Sequence, residues 1–447
     1  MFENILHQPV IKQLASDIGS GSLAPALLFS GPAYGGKGAA ALELARVLSC
    51  QGTGIGRWNC PCPSCLRHRN LVSPDLLILG KKRFFQEIAA SSGALLRQAA
   101  QAKTPEELRR LLPPVRMLFV RSVRKLLARF NPALWEDDPK FGKLSSCISA
   151  LEEDLEDLEG IITGDRGKLE KHCASIIKQA AKLESEGVGD LIPIGRIRRA
   201  SWWSRLAPLG RHKCIVLENA EYMQDGAKNA LLKILEEPPP RVTLVLTSSR
   251  PMGLLPTMLS RLRDYRFVKR SPMAEEEVIS RIFRGPAAYT EGLESYLGSF
   301  LPLKTGNLHA LGAYLASSVA AEAVRELRRR MKEIPPVLVE LGKFFTPLAE
   351  AEGMGRPAAD FKTLLAKIFA DTGNFEIPGL FPQFFRELGA LISLWLRSGR
   401  GSPEKALCAA AWRREINRSL VEADSFNISL PTVLERFLDA LKIRMLP

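Results

Sequence analysis

The sequence predicts an α/β protein with a parallel sheet and a phosphate-binding loop, followed by a C-terminal part that is almost entirely helical. Three observations support this fold class. Short apolar runs alternate with helical segments in two stretches of the chain. A glycine-rich segment with one lysine separates the first apolar run from the first helix. After about residue 271 the hydrophobic pattern is helical.

Length and composition set the limits of this prediction. The 447 residues favour two to four domains, and a hydrophobic share of 46% is enough for real cores. The net charge of +14 suits a partner with phosphates or an acidic surface, although a generally basic soluble protein has the same balance. No apolar run approaches the roughly 20 residues that cross a bilayer, and the N-terminus does not resemble a signal peptide. We therefore expect a cytoplasmic protein with no membrane partner.

The first predicted strand and helix enclose the glycine-rich loop. Ala26–Ser30 is a short apolar run, and Ala39–Leu48 has the pattern of a helix. The segment between them, GPAYGGKG, follows the phosphate-loop pattern G-x-x-x-x-G-K. The strand–loop–helix order is the context that such a loop requires, and a glycine-rich turn with a chance lysine is the alternative.

Within this loop, Gly31 and Gly36 would let backbone N–H groups curl around phosphates, and Lys37 would reach the β- and γ-phosphates. The next position usually carries Ser or Thr, whose hydroxyl ligates Mg²⁺. This chain has Gly38 there. The loop is therefore predicted to cradle phosphates but to lack one metal ligand.

A second departure follows the second strand. Ile215–Leu217 begins a buried strand, Gln224–Glu236 is a predicted helix and Val242–Thr247 is a third strand. In P-loop ATPases an acidic pair ends the second strand, one residue orienting Mg²⁺ and the next polarising water. Glu218 can serve as the first carboxylate, but Asn219 stands in the second position, and an amide cannot accept a proton from water. These substitutions predict weak hydrolysis.

Four of the eight cysteines lie close together in the sequence. Cys50, Cys60, Cys62 and Cys65 follow the spacing C-x9-C-x1-C-x2-C. Disulfides are disfavoured in a cytosolic protein, so this clustering indicates metal. Four thiolates form a closed tetrahedral site, which predicts structural zinc. His68 is an alternative ligand, and four reduced buried thiols are the alternative interpretation.

The stretch from about 82 to 189 has a different composition. It is rich in Ala, Leu, Lys, Arg and Glu with helical periodicity. We interpret it as a helical insertion, shaped like a coiled-coil hairpin, that acts as a solvated spacer and has no catalytic role. On this interpretation the surrounding α/β module should fold without it.

The run from Glu218 to Phe267 resembles the AAA+ module of bacterial DNA polymerase III clamp-loader subunits, of the gamma/tau and delta-prime kinds. Lys228–Pro239 (KNALLKILEEPP) agrees almost letter for letter with the family's pattern, and Leu254–Leu262 (LLPTMLSRL) keeps its Ser-Arg pair. The likeness covers roughly 1–80 and 190–312. It implies an AAA+ P-loop domain over 1–270, a helical lid over 271–317 and a helical collar for oligomerisation over 318–447.

The resemblance also assigns site residues. Arg261 matches the arginine finger that acts in trans on a neighbour's nucleotide, although a surface arginine paired with Asp264 is the alternative. Thr247 matches the sensor on the third strand. His309 stands where a second sensor arginine is usual, which is a third departure from an active ATPase. Family members carry a zinc module directly after the P-loop helix, here at about 50–65, although the family spacing would place its second cysteine at Asn59.

The resemblance implies a delta-prime-type stator of the DNA polymerase III holoenzyme, with little ATPase activity of its own. Its expected partners are the gamma/tau and delta subunits, the sliding clamp and, through the assembly, primer–template DNA. Its expected cofactors are structural Zn²⁺ and weakly bound ATP with Mg²⁺. Two alternatives stay open: an active gamma/tau-type ATPase motor, and a zinc-containing structural protein derived from the AAA+ fold that binds nucleic acid.

Overall fold

The structure is a computed structural model that divides into two compact units, Met1–Phe300 and Leu301–Pro447. It describes residues 1–52, 56–80, 83–136, 138–161, 166–189, 191–286, 292–300, 308–373, 380–398, 402–425 and 428–445.

The first unit contains a five-stranded parallel sheet. Its strands are β1 (Ala26–Ser30), β2 (Leu76–Gly80), β3 (Lys213–Glu218), β4 (Val242–Ser248) and β5 (Arg263–Arg266). Their order across the sheet is β2-β3-β4-β1-β5, and each pair is parallel. Every residue of β1, β3 and β4 is buried, as expected for strands covered on both faces. The predicted α/β class with a parallel sheet is confirmed.

Helices cover both faces of the sheet. Those outside the predicted insertion are α1 (Val10–Gly19), α2 (Lys37–Leu48), α3 (Pro63–Arg69), α9 (Ile194–Arg205), α10 (Asp225–Glu236), α11 (Pro256–Leu259), α12 (Pro272–Arg281) and α13 (Leu293–Gly298). Alternate residues of the strands enter two different cores. Leu27 and Phe29 pack with α1 and α2, whereas Leu28 and Ala26 pack with α9 and α10.

The predicted insertion is helical. It contains α4 (Phe85–Gln101), α5 (Pro105–Leu127), a 3₁₀ turn (Ala128–Phe130), α6 (Pro132–Trp135), α7 (Pro139–Ile161) and α8 (Arg166–Gly187). Its predicted first residue, at position 82, lies outside the described residues.

The interpretation of this insertion as a solvated spacer is wrong. Phe119, Val123 and Ile176 are fully buried in the same hydrophobic core as Leu28 and Leu217 of the sheet. The physical reason is that these amphipathic helices carry large apolar side chains, whose burial against the sheet removes them from water. The insertion is therefore part of the module's core.

A buried carboxylate fixes the start of the insertion. Glu184, near the end of α8, is only 3% exposed. Its oxygens accept hydrogen bonds from the backbone N–H groups of Phe84 and Phe85, at 2.9–3.1 Å. These N–H groups lie at the N-terminus of α4, where helices leave donors unsatisfied and where negative charge is favoured. The last helix of the insertion thus holds the first.

The second unit is helical in its described part. It contains α14 (Leu308–Arg329), α15 (Pro336–Ala351), α16 (Phe361–Thr372), α17 (Leu380–Arg397), α18 (Pro403–Ser425) and α19 (Leu430–Met445). The unit's core includes fully buried Trp395 and Trp412. The predicted lid–collar boundary at 317 falls within α14, and the two units divide at 300, because α14 packs along its length on α15 and α17.

Within the described residues, no helix combines the length and the apolar character needed to span a membrane.

We expect Glu184→Ala to destabilise the chain by about 1–3 kcal/mol, because it leaves two buried N–H groups without an acceptor. Thermal and urea unfolding measure this loss. Glu186→Ala, which removes an exposed carboxylate from the same helix, is the matched control and should change stability little. Equal stabilities of the two variants would show that the insertion is not fixed in this way.

Candidate nucleotide site and cysteine cluster

The predicted nucleotide-site residues of the first unit meet at one edge of the sheet. The loop from Gly31 to Gly36 follows β1, Glu218 ends β3, and Thr247 lies near the end of β4. Since β4 pairs with both β1 and β3 in parallel, the carboxyl ends of all three strands share this edge. Ligands of open parallel sheets bind at this edge. The structure therefore brings these predicted residues together at one edge of the sheet.

The lysine of the phosphate loop binds the backbone of the loop itself. Gly36 has φ 90°, a left-handed conformation that favours glycine, and stands directly before α2. Lys37 is 7% exposed, and its Nζ donates to the carbonyl oxygens of Gly31 at 2.7 Å and Pro32 at 2.6 Å. The ammonium that would bind phosphates therefore binds carbonyl groups of its own loop.

Burial changes the ionisation of this lysine. Desolvation lowers the pKa of Lys37 from 10.5 to about 8, against the opposing attraction of Glu221 and Glu218. Glu221 was not among the predicted site residues. Its Oε1 accepts from the backbone N–H of Ser249 at 3.0 Å and from the hydroxyl of Ser249 at 2.8 Å. The signal for it was the second acid in the turn after β3.

Glu218 occupies the place of the missing hydroxyl. A Cβ atom built at Gly38 would overlap its Oε1 atom, so a serine or threonine at position 38 would require the Glu218 carboxylate to move. The Oε2 atom forms an ion pair with Arg129, which belongs to the 3₁₀ turn of the insertion. Both partners are buried, at 7% and 6% exposure. Sequence reasoning missed Arg129, since nothing local links it to β3.

Asn219 and Thr247 form a turn at the end of β3. Asn219 has φ 54° and ψ 56°, a left-handed conformation that asparagine tolerates better than most residues. Its backbone N–H donates to Oγ1 of Thr247 at 3.1 Å. Thr247 is 2% exposed. The hydroxyl of Thr247 therefore fixes the backbone of Asn219.

Arg270 is a further residue that the sequence did not indicate. Its guanidinium donates to the carbonyl oxygens of Tyr34 in the phosphate loop and of Leu6. Burial lowers its pKa, and Glu275 opposes this effect. Arg270 thus fastens the loop to the segment that follows β5.

Arg261 lies just after α11 and has a side chain that is 36% exposed. Its Nη1 donates to the carbonyl oxygen of Thr257 at 2.7 Å, and its Nη2 is 2.9 Å from Oε1 of Glu236. The ion-pair partner is therefore Glu236 at the end of α10, and Asp264, the partner considered from sequence, is not the one found.

His309 is in a different part of the protein. It is the second residue of α14, in the second unit, and is half-buried. The preceding Gly306 and Asn307 of the predicted sensor motif lie outside the described residues.

The four clustered cysteines converge. Their sulfur atoms all lie within 4.8 Å of one another. The Sγ atoms of Cys50 and Cys60 are 3.7 Å apart. Two sulfurs on a tetrahedral zinc, with Zn–S of about 2.3 Å, would be about 3.8 Å apart. The geometry of the donors fits one tetrahedral metal ion, and the cluster can hold zinc.

The surroundings of the thiols favour the thiolate at two of the four positions. Burial raises the pKa of Cys62, but hydrogen bonds from the backbone N–H groups of Cys65 and Gln51 and from neighbouring thiols outweigh it and lower this pKa to about 6. The pKa of Cys50 is also lowered, because hydrogen bonds from the backbone of Gly56 and Gly52 outweigh burial. His68 is not part of the cluster. Its Nε2 is 3.1 Å from Oγ of Ser73, and the side chain is 2% exposed. The alternative ligand set with His68 is therefore not supported.

A buried arginine connects the cluster to the phosphate-loop helix. Arg46 of α2 is 1% exposed and donates to Sγ of Cys65 at 3.1 Å. It also donates to both carboxylate oxygens of Glu43, at 2.6 and 2.8 Å, and to the carbonyls of Gly56 and Arg57. Such contacts orient metal ligands and balance their charge. No sequence pattern indicated this role of Arg46.

Comparisons with known proteins identify the family that the chain is similar to. A family model described as DNA polymerase III, delta subunit matches residues 6–113 and 121–271, more than half of the chain. The DNA polymerase III subunit delta' of Pseudomonas aeruginosa is 36% identical over 135 residues, which are 29% of this chain and 40% of that protein. The DNA polymerase III subunit gamma/tau of Mycobacterium tuberculosis is 24% identical over 160 residues, 34% of this chain and 27% of that protein.

The chain therefore spans less than half the length of the curated relatives it matches. A solved structure of a DNA polymerase III, gamma subunit-related protein from Thermotoga maritima covers 62% of this chain and 90% of that chain, with 18% identity and a TM-score of 0.32.

The ionisation of Lys37 predicts a pH dependence of stability. Below about pH 8 the lysine is charged in both the folded and unfolded states; between about 8 and 10.5 it loses its proton first in the folded state. The folded wild type should therefore gain stability over this interval relative to Lys37→Met. Urea unfolding of both proteins at a series of pH values measures the difference.

Lys12→Met, at an exposed position of α1, is the matched control and should follow the wild type at each pH. A wild-type to Lys37→Met difference that stays constant as the pH rises would contradict the lowered pKa.

Proposed function

The chain belongs to the DNA polymerase III, delta subunit family, and on this premise we propose that it is a delta-prime-type stator of a clamp loader. In this role it contributes an arginine finger to a neighbouring ATPase subunit, while its own nucleotide site hydrolyses ATP negligibly. The position of Arg261 on the surface, in a chain that lacks the metal-ligating hydroxyl at Gly38, is the observation that carries the proposal.

The surroundings of Arg261 suit a finger that acts in trans. A guanidinium that serves a neighbour must reach beyond its own subunit, and 36% of this side chain is exposed. Its partner Glu236 is itself 50% exposed. An exposed ion pair contributes only about 0–1 kcal/mol, so Arg261 can exchange Glu236 for a γ-phosphate at little cost. The contact with Thr257 holds the guanidinium beside α11.

The chain's own nucleotide site suits a subunit that does not hydrolyse ATP. Three groups that hydrolysis needs are replaced, by Gly38, Asn219 and His309. In addition, Lys37 is committed to two carbonyl groups of its loop. Any ATP with Mg²⁺ is therefore held weakly, and the alternative of an active gamma/tau-type motor is disfavoured.

The partners and location follow from this role. We propose that the chain assembles with gamma/tau and delta subunits in the cytoplasm, and acts on the sliding clamp and primer–template DNA through the assembly. The net charge of +14 favours a nearby nucleic acid. The helices of residues 318–447 would provide the collar that holds the ring, and residues 271–317 would form the separate helical lid.

The cysteine cluster supplies a second element of the proposal. We propose that Cys50, Cys60, Cys62 and Cys65 hold one structural zinc ion. Four protein ligands close the coordination sphere, so the ion would stabilise the segment around α3 and would not react. A zinc-containing nucleic-acid-binding protein without a loader role is the remaining alternative, and the exposed finger disfavours it.

The finger can be tested by ATPase assays. We expect the purified chain to hydrolyse ATP negligibly, and its addition to partner subunits to support their clamp- and DNA-stimulated turnover. Arg261→Ala should lower the turnover of the assembly without dissociating it, because the guanidinium acts on charge that develops in the transition state. Such fingers contribute about 10³–10⁵ in rate at one site, so the loss in a multi-site assembly will be smaller.

Arg266→Ala removes an exposed arginine from β5 and is the matched control, which should leave turnover unchanged. Robust hydrolysis by the lone chain that Lys37→Ala abolishes would instead identify a motor. Equal turnover of assemblies with the wild-type and Arg261→Ala subunits would contradict the assignment of Arg261 as the arginine finger.

Elemental analysis tests the zinc site. Protein purified without chelators should contain about one equivalent of zinc per chain, and Cys65→Ser should lose it along with thermal stability. Cys147→Ser, at a half-buried cysteine of the insertion, is the matched control and should retain the metal. Reduced, folded wild type without zinc would refute the assignment.

A further inference from the structure

We propose that Arg129, supplied by the helical insertion, takes the place of the divalent cation in the chain's own nucleotide site. On this inference the ion pair between Arg129 and Glu218 keeps Mg²⁺ out of the site. The insertion holds Arg129 in this position. The inference goes beyond the proposed function, because an arginine finger works whether or not its own subunit binds metal. An experiment can therefore contradict this inference without contradicting the proposed function, and the reverse.

The first step concerns Glu218. It is the carboxylate that ends β3, the position from which P-loop proteins orient their metal ion. In this chain its two oxygens face two different neighbours. Oε2 contacts the guanidinium of Arg129, and Oε1 fills the space in which a side chain at position 38 would begin. Arg129 therefore occupies the carboxylate that would hold a metal ion. Oε1 of Glu218 occupies the space of the side chain that would assist it.

The second step concerns Arg129 itself. Its backbone is held by Trp135, whose Nε1 donates to the Arg129 carbonyl oxygen at 2.7 Å. Its guanidinium lies over the ring of Phe84, 5.3 Å from the centroid. Its Nε and Nη1 atoms are buried and have no hydrogen-bond acceptor in the described part of the chain. The guanidinium is therefore committed to Glu218, and the insertion positions it there.

The third step is electrostatic. A buried carboxylate needs a counter-charge, and a buried guanidinium does too, so each stabilises the other in a place that excludes water. A divalent cation on the same carboxylate would repel Arg129 at short range in a poorly screened environment. The carboxylate of Glu218 can therefore accommodate one cation, and that cation is the guanidinium of Arg129.

Thermal unfolding of the full-length chain with and without millimolar Mn²⁺ tests the inference. We expect Mn²⁺ to leave the unfolding temperature of the wild type unchanged. Arg129→Met should unfold at a clearly lower temperature, because the buried Glu218 carboxylate loses its ion pair with the guanidinium, and Mn²⁺ should recover part of the loss. The double variant Arg129→Met/Glu218→Gln should be more stable than Arg129→Met and should not respond to Mn²⁺.

Arg110→Met removes an exposed arginine of α5 and controls for the change in net charge. If Arg129→Met alone does not fold, recovery of folding in the double variant is the same supporting result. Two outcomes would overturn the proposal. One is stabilisation of the wild type by Mn²⁺ that Glu218→Gln abolishes, and the other is a double variant no more stable than Arg129→Met.

Discussion

The first unit depends on the neutralisation of one buried carboxylate. Glu218 ends the buried strand β3, and its negative charge would be costly there without a partner. The partner comes from residue 129, so the insertion must pack against the sheet for the pair to form. Hydrophobic burial then makes this packing favourable over a large area. Charge specifies the position of the insertion, and apolar contact provides most of the stabilisation.

The same insertion contacts the other parts of the first unit. Arg121 and Arg124 of α5 donate to the last carbonyl groups of α3, on which the cysteine cluster depends. Such contacts satisfy orphan carbonyls and complement the helix dipole. On the other side, Arg97 of α4 donates to the carbonyl oxygen of Phe283 and the hydroxyl of Tyr296, in the segment of α12 and α13. A metal ion at the cysteines would therefore affect the order of more than its own loop.

The sequence predicted what local pattern encodes. The largely apolar β1 and β4, the glycine loop and the four cysteines each carry their signal within a few residues, and the structure brings the four cysteines together as predicted. Both edge strands were missed: β2, although its sequence LLILG is apolar, and β5, whose sequence RDYR has one buried residue in four. Arg129 was missed because it lies 89 residues from Glu218. A contact between residues so far apart in the sequence produces no periodic pattern, and only the folded structure reveals it.

A site that no longer turns over still has a reason to keep its shape in the proposed stator. The turn of Asn219 and Thr247 sets the start of α10, and α10 ends at Glu236, which holds Arg261. In the proposed stator, the strands that end at the nucleotide site would therefore also help to position the guanidinium of Arg261. On this proposal, Gly38 in place of a metal-ligating hydroxyl would weaken hydrolysis and leave this framework intact, whereas loss of the framework would misplace the guanidinium. A role of Arg261 in trans would therefore be sufficient to retain a loop whose lysine binds the loop's own carbonyl groups.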